Sequence, residues 1–395
     1  MIGAVGADVI NAVAGQIKPD RNFSYFLNSV AKLSMPLGVF CYSMPSILTR
    51  PVSVSDNATT FDFFRFVRQH YRKRWIFLIL LNMAVYDNKF PVFSALASFF
   101  YRRRTISSER ISKIEISGEN TSGSIDVLIP TIGRKPYLYD FLKDLSVQTR
   151  LPARVIIVEQ NPQQGSSSEL DYLSDSWPFE IEHVFTHQTG ACNARNLALE
   201  KVQSEWVFFA DDDIRIAPDF LEQAFKEMNR YRNHVFNFAC LQKGQKPAYT
   251  TDHQTSIFGA GCSIASRESI GTSRFNMSYE FGFSEDLEFA RQLLDKGYDT
   301  VYLKSPSILH LKAPVGGFRT KPKLLWESDP VQPKPSPTVM LYRLCHHTRE
   351  QLLGYRTVLF FKFYRLQSIK NPLKYLRDFR KRWERSVHYA NLLKR

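Results

Sequence analysis

WVFFADDD, residues 206–213, runs five apolar residues straight into three consecutive carboxylates. A short, unbroken apolar run is the mark of a strand covered on both faces, as in a parallel sheet between helices. Acids placed at the carboxyl end of such a strand stand where open α/β sheets receive their ligands. Asp211, Asp212 and Asp213 repel one another unless something cationic is close. A divalent ion with oxygen ligands, holding a diphosphate, relieves that repulsion. The plainer alternative is an acidic loop that caps the helix after Pro218.

The same alternation extends in both directions. Residues 125–129 form a short apolar strand ended by Pro130, and Pro136 opens a helix. Its Leu138, Phe141, Leu142 and Leu145 fall at i, i+3, i+4 and i+7, one buried stripe. A second buried strand covers 155–158, and 191–202 reads as a helix. Phe220, Ala224, Phe225 and Met228 mark the next helix. Ser284 is the expected N-cap, and Gly297 the expected stop, of a helix over 285–296, followed by a strand at 300–303. This strand–helix succession predicts an α/β domain over about residues 124–325.

Five groups in that segment could carry chemistry. The acid triplet is the sharpest. Glu285 and Asp286 open a helix, where charge complements the helix dipole; the functional reading is a carboxylate that takes a proton from an acceptor hydroxyl. His310 precedes Gly316-Gly317 and adds an imidazole to a coordination sphere built from carboxylates, although a lone histidine is more often structural. GACNARN, residues 190–196, brings Gly190, Arg195 and Asn196 to a helix start, which suits phosphate or nucleotide contacts. Gly259 and Gly261 lack side chains and so allow a ligand to approach the backbone.

Charge is distributed unevenly around this segment. Residues 1–120 hold 15 Lys+Arg against 8 Asp+Glu, residues 121–337 hold 23 against 27, and residues 338–395 hold 14 against 3. A slightly acidic middle therefore lies between two basic flanks, which attract phosphate on lipid, nucleic acid or a diphosphate substrate. The five scattered cysteines fit neither a disulfide framework nor a metal-ligand spacing, which predicts a reducing, cytosolic setting. The amino terminus lacks the pattern of a signal peptide. The apolar runs at 75–81 and 93–101 are too short to span a bilayer and read as a helical hairpin, resting on a membrane or packed in a core. Residues 117–124 read as a linker, and the four prolines of 330–337 as an extended segment. Three regions result: a mostly helical accessory segment over 1–120, a catalytic domain over 121–328, and a Pro-rich linker with basic amphipathic helices over 329–395.

Taken together, VLIPT (127–131), VIIVEQN (155–161), GACNARNLAL (190–199), WVFFADDD (206–213) with Pro218, GAG (259–261), GFSEDLEFARQLLDKGY (282–298) and His310 closely resemble the inverting family-2 glycosyltransferases, over about half the chain. The resemblance implies a GT-A fold: one mixed, mostly parallel sheet between helices, with a nucleotide-sugar at the strands' carboxyl ends. It implies that Asp211 and Asp213 are the acids of the Asp-x-Asp signature. Asp213 would hold Mg²⁺ or Mn²⁺ against the donor diphosphate, and Asp211 would face ribose or metal. Asp286 matches the catalytic base, Glu285 its neighbour, and His310 a histidine that completes the metal site. Pro130, Thr131, Arg134, Asp212, Gly190, Arg195, Asn196, Gly259 and Gly261 fall along the donor pocket. Glu159 stands where the family usually has an Asp that reads the nucleobase, which weakens any claim for a uridine nucleotide. A single displacement at the anomeric carbon then inverts a hexosyl group onto an acceptor hydroxyl.

The implied acceptor is a glycan or a polyprenyl-diphosphate-linked lipid in bacterial capsule or O-antigen assembly. The aromatic, basic tail after residue 337 would then rest on the anionic inner face of the cell membrane. The plainer reading of the tail is solvated helices packed on the catalytic domain. Two other functions fit parts of the chain: a nucleotidyltransferase, which has no need of Glu285-Asp286, and a nucleic-acid or membrane binder working through its tail. No nucleic acid is expected as partner, because no recognition motif is present.

Overall fold

A computed structural model describes residues 5–18, 20, 22–42, 58–107, 123–231, 233–314 and 323–394. Most of the linker expected at 117–124, and Gly316-Gly317, lie outside them. The chain divides into two compact units, Met1–Glu115 with His346–Phe379, and Ile116–Cys345 with Arg380–Arg395.

The first unit is helical. α1 (Ala7–Ala14) and α2 (Phe23–Ser34) bury Val13, Phe26 and Val30 against each other. α3 (Thr60–His70), α4 (Arg74–Tyr86) and α5 (Val92–Ser98) share a second small core of Phe64, Val67, Ile76 and Ala95. α3 ends after His70, where Tyr71 takes an extended conformation (φ −124°, ψ 172°). The break lets Ile76 and Ile79 return onto Phe64 and Val67 instead of continuing the α3 axis.

The second unit is built on a nine-stranded mixed sheet among the described residues. The strands are β1 (Ile125–Thr131), β2 (Arg154–Gln160), β3 (Glu180–Thr186), β4 (Trp206–Ala210), β5 (Ile214–Arg215), β6 (Val235–Leu241), β7 (His253–Thr255), β8 (Cys262–Ser266) and β9 (Thr300–His310). Their order is β3-β2-β1-β4-β8-β6-β9-β5, with β7 on β9. The longer ladders are parallel, and β8 enters antiparallel between β4 and β6. Helices α6 (Lys135–Ser146), α7 (Ala191–Leu199), α8 (Phe220–Met228), α9 (Arg267–Ile270) and α10 (Glu285–Asp295) connect them. The predicted stripe of Leu138, Phe141, Leu142 and Leu145 is fully buried. Pro130 does not end β1: the strand continues to Thr131, paired on that stretch with β2, while its ladder to β4 stops at Leu128. A proline is tolerated there because no β4 carbonyl awaits its missing N–H.

Three helices close the chain, α11 (Pro337–His346), α12 (Arg349–Tyr364) and α13 (Pro372–Leu393). The Pro-rich segment before α11 is irregular and tied to α13, the Lys334 amide donating to the Arg382 carbonyl (3.0 Å) and the Ser386 hydroxyl to the Pro335 carbonyl (2.7 Å). The aromatic residues Tyr375, Phe379 and Trp383 of α13 are buried, Tyr375 tilted and Phe379 edge-on against Phe360, while Leu373 near the start of the helix is exposed. No helix among the described residues is long and apolar enough to cross a membrane.

Candidate active site

β4 delivers the acid triplet at its carboxyl end, and the three side chains then diverge. Asp212 turns inward, accepting hydrogen bonds from the Thr131 hydroxyl (2.7 Å) and from Arg134 (2.6 Å). Burial pushes its pKa up to about 6, against the pull of Arg134 and Thr131. Its place is to fix the β1 loop to the end of β4. Asp213 is buried too, but well solvated by protein. The Ala313 amide donates to one oxygen (2.9 Å), His310 Nε2 stands 3.4 Å from the other, and Arg134 lies 3.3 Å away. Burial alone would raise its pKa; the His310 and Ala313 hydrogen bonds and the Arg134 charge outweigh it and hold it at about 2. The same hydrogen bond raises His310 above its ordinary value. The pairing is set by register: β5 places Ile214 opposite His310, the last residue of β9, so the strand expected to end at 303 runs on to carry the histidine to the acids.

Asp211 is the most exposed of the three, with 37% of its side chain accessible, and accepts from Arg195 at 3.2 Å. Antiparallel pairing of Ala210 with Cys262 sets Gly261 against it. A Cβ on Gly261 would lie 2.1 Å from Asp211 Oδ2. The space at this glycine is therefore taken by Asp211, not left for a ligand. At Gly259 the space is taken by Cys262 Sγ and the Asn237 amide.

Arg195 is almost wholly buried and feels Asp211 first, then Asp286, with Glu285 further off. It thus sits electrostatically between the two acidic signatures. Asp286 is raised above the ordinary carboxylate range by burial, opposed by Arg195 and by a hydrogen bond from the Ala260 backbone. Its Oδ1 is buried without a hydrogen-bond partner among the described residues. Burial, and then the neighbouring Asp286 charge, pushes Glu285 up to about 7. Ser284 does precede α10, but in the left-handed region (φ 80°) and without a side-chain cap. The expected Ser cap is absent: a capping residue takes extended angles, and Ser284 does not.

Other expected donor contacts have partners inside the protein. At the α7 N-terminus the Cys192 and Asn193 amides donate to the carboxylate of Glu280 (3.1 and 2.7 Å), and a Cβ on Gly190 would collide with it. The anion held by this helix end is Glu280, which no local pattern reveals. Asn196 spends its amide on both backbone groups of Phe275. Glu159, next to Thr131 in the β1–β2 register, accepts from Ser168 (2.5 Å) and the Glu169 amide (3.0 Å), with His183 Nε2 2.9 Å away. Pro130 is half-buried in β1. The structure thus gathers Thr131, Arg134, Asp212, Asp213 and His310 into one network, and Asp211, Arg195, Gly261, Asp286 and Glu285 into an adjoining one.

The family profile Glycosyl transferase family 2 matches residues 126–288, from β1 into α10, less than half of the chain. The matched stretch contains β1, the acids at the carboxyl end of β4 and the first residues of α10, so the α/β segment is similar to the family-2 glycosyltransferases over those residues. Among solved structures, Staphylococcus aureus TarS 1–349 in complex with UDP matches at 16% identity over 48% of this chain and 61% of that one, with a TM-score of 0.39. This chain spans about three fifths of that first structure's length. The complex of TarS 1–349 with UDP-GlcNAc gives 15% identity, 68% and 88% coverage and a TM-score of 0.43. The mannosyltransferase PcManGT from Pyrobaculum calidifontis, in complex with GDP-Man and Mn²⁺, gives 15%, 72% and 79%, and 0.40. No curated protein matches by sequence.

The donor set suits a hard divalent cation in chemistry, two carboxylates and an imidazole. Among the described residues, however, no three carboxylate, imidazole or thiol groups converge as a ready-made cation site. What is preformed is the Asp213–His310 pair, with Asp211 near enough to influence the imidazole.

Proposed function

We propose that this domain moves a hexosyl group from a nucleoside diphosphate sugar to an acceptor hydroxyl in one displacement, with inversion. The observation that carries this reading is Asp286: a carboxylate with a buried, unpartnered oxygen, held by the Ala260 amide, and separated from the Asp-x-Asp acids by one buried cation, Arg195. An unpaired buried acceptor is costly, and a hydroxyl donor resolves the cost by bonding to it. Asp286 then takes the hydroxyl proton as the new glycosidic bond forms, and its raised pKa makes it the stronger base. Glu285, beside it, has its own pKa pushed up to about 7 by burial and by the Asp286 charge. Arg195 holds Asp211 by a hydrogen bond and opposes the raised pKa of Asp286 through its charge. Thr131, Arg134 and Asp212 fix the β1 loop that walls the donor.

Asp211, Asp213 and His310 would hold Mg²⁺ or Mn²⁺, with the remaining ligands from the donor's diphosphate. Bound there, the ion supplies Lewis-acid charge for the leaving nucleoside diphosphate. The acceptor we propose is a glycan or polyprenyl-diphosphate-linked lipid of a bacterial surface polysaccharide, met at the inner face of the cell membrane.

Differential melting with UDP-, GDP- and dTDP-sugars, with and without Mn²⁺, tests the donor site, since a bound ligand stabilises by mass action. At least one donor raises the melting temperature more with Mn²⁺ than without it, and Asp213→Ala removes the Mn²⁺-dependent part. Equal shifts in Asp213→Ala and the natural protein contradict the ligand assignment.

A further inference from the structure

The helical unit carries a surface for which the transfer reaction has no use. On α4, Phe77, Leu81 and Val85 recur at i, i+4 and i+8, and all three are exposed, Phe77 by 61%. On α5 and just beyond, Phe93, Leu96 and Phe100 recur at i, i+3 and i+7, with Phe93 83% and Phe100 90% exposed. The rings of Phe77 and Phe99, 5.9 Å apart, join the two helices. The inner face of α4 is already satisfied: Ile76, Ile79 and Met83 pack onto Phe64 and Val67. Apolar surface of this extent on one face marks an interaction site rather than scattered surface hydrophobes.

Charge identifies the partner. Residues 63–107 contain nine Lys+Arg and a single acid, Asp87. Exposed cations rim the hairpin at both ends: Arg72, Lys73 and Arg74 before α4, Lys89 in the turn, and Arg102 and Arg103 after α5. A second copy meeting this face would set one basic rim against another, which is repulsive. Anionic headgroups around an apolar interior complement both features at once. α4 has 13 residues, too few to cross a bilayer, so it lies along the surface. The C-terminal helix presents no comparable stripe, because its Tyr375, Phe379 and Trp383 are buried and Leu373 is exposed by itself.

We propose that the α4–α5 hairpin docks on an anionic phospholipid bilayer, its exposed aromatic stripe entering the headgroup–acyl boundary while the flanking Lys and Arg meet the phosphates. This assignment concerns the helical unit alone, so it stands or falls separately from glycosyl transfer.

The test uses the full chain and vesicles of phosphatidylcholine, with and without phosphatidylglycerol. The chain co-sediments with the anionic vesicles, and more weakly at high salt. F93S/F100S lowers the partition coefficient by about tenfold or more, and R102Q/R103Q lowers it by roughly fivefold per charge removed. Both variants keep the circular dichroism and melting temperature of the natural chain, because all four side chains are exposed. As a measurement free of folding effects, Phe93→Trp gains fluorescence that brominated lipids quench. Three outcomes overturn the proposal: unaltered sedimentation of both double variants, no extra quenching in Phe93→Trp, or a natural chain that ignores anionic vesicles and instead forms dimers dispersed by F93S/F100S.

Discussion

Replacing Gly261 with alanine separates what the candidate site does from what holds the fold. The new Cβ would lie 2.1 Å from Asp211 Oδ2, 2.4 Å from Cγ and 2.9 Å from Oδ1, all well inside van der Waals contact. The backbone there is fixed by the β4–β8 ladder, so the Asp211 side chain rotates away instead. That rotation breaks the 3.2 Å bond to Arg195. The carboxylate is 37% exposed, which screens the pair, but Arg195 is buried and loses this partner, so the cost is about 1–3 kcal/mol. For a domain of this size each kcal/mol is a drop of roughly 2–4 °C in melting temperature. Transfer is affected far more, since misplacing a positioning group by about 1 Å costs on the order of 10²-fold in rate. Single-turnover release of nucleoside diphosphate, read beside the melting curve, gives both quantities. Unchanged turnover in G261A refutes the assignment of Asp211. So does a collapse of the fold alongside lost activity, which makes Gly261 a structural glycine and nothing more.

Two further predictions concern stability. Glu285 has its pKa raised from 4.5 to about 7, so the fold favours its protonated form. Its contribution is present below pH 4.5 and is lost as pH rises through about 7, the reverse of an ion-paired acid. Glu285→Gln therefore melts progressively higher relative to the natural protein as pH goes from 5 to 8, whereas a constant difference across that range contradicts the burial of this carboxyl. Gly354 lies within α12 with open space where a Cβ would sit. Gly354→Ala stabilises by about 0.5–1 kcal/mol in denaturant titration by removing unfolded-state freedom, and leaves transfer unaltered; a destabilised variant refutes the open-space reading.

What could be read from the residues followed from local physics. The β4 strand matches residue for residue, and the α6 stripe is buried as its spacing demands. The divergence of the acid triplet was not legible, because it depends on partners 78 to 100 residues away: Arg134 on Asp212, and Ala313 on Asp213. Nor was the use of glycines 190, 259 and 261, whose empty positions are filled by Glu280, by Cys262 with Asn237, and by Asp211, as the tertiary fold brings them together. The α7 N-terminus reads in sequence as a phosphate or nucleotide site, yet its amides are taken by the carboxylate of Glu280, 88 residues on from Cys192. β3 is only partly buried along its length, so it has no unbroken apolar run to betray it. Ser284 misled because a preferred N-cap residue type does not guarantee the backbone angles a cap needs.

The proposed transfer needs a deprotonating carboxylate that faces the acceptor rather than the donor. Asp286→Asn keeps the shape and removes the base, so isothermal titration should show donor binding close to that of the natural protein, while acceptor-dependent transfer falls by about 10²- to 10⁴-fold. Transfer that persists at the natural rate in Asp286→Asn contradicts it.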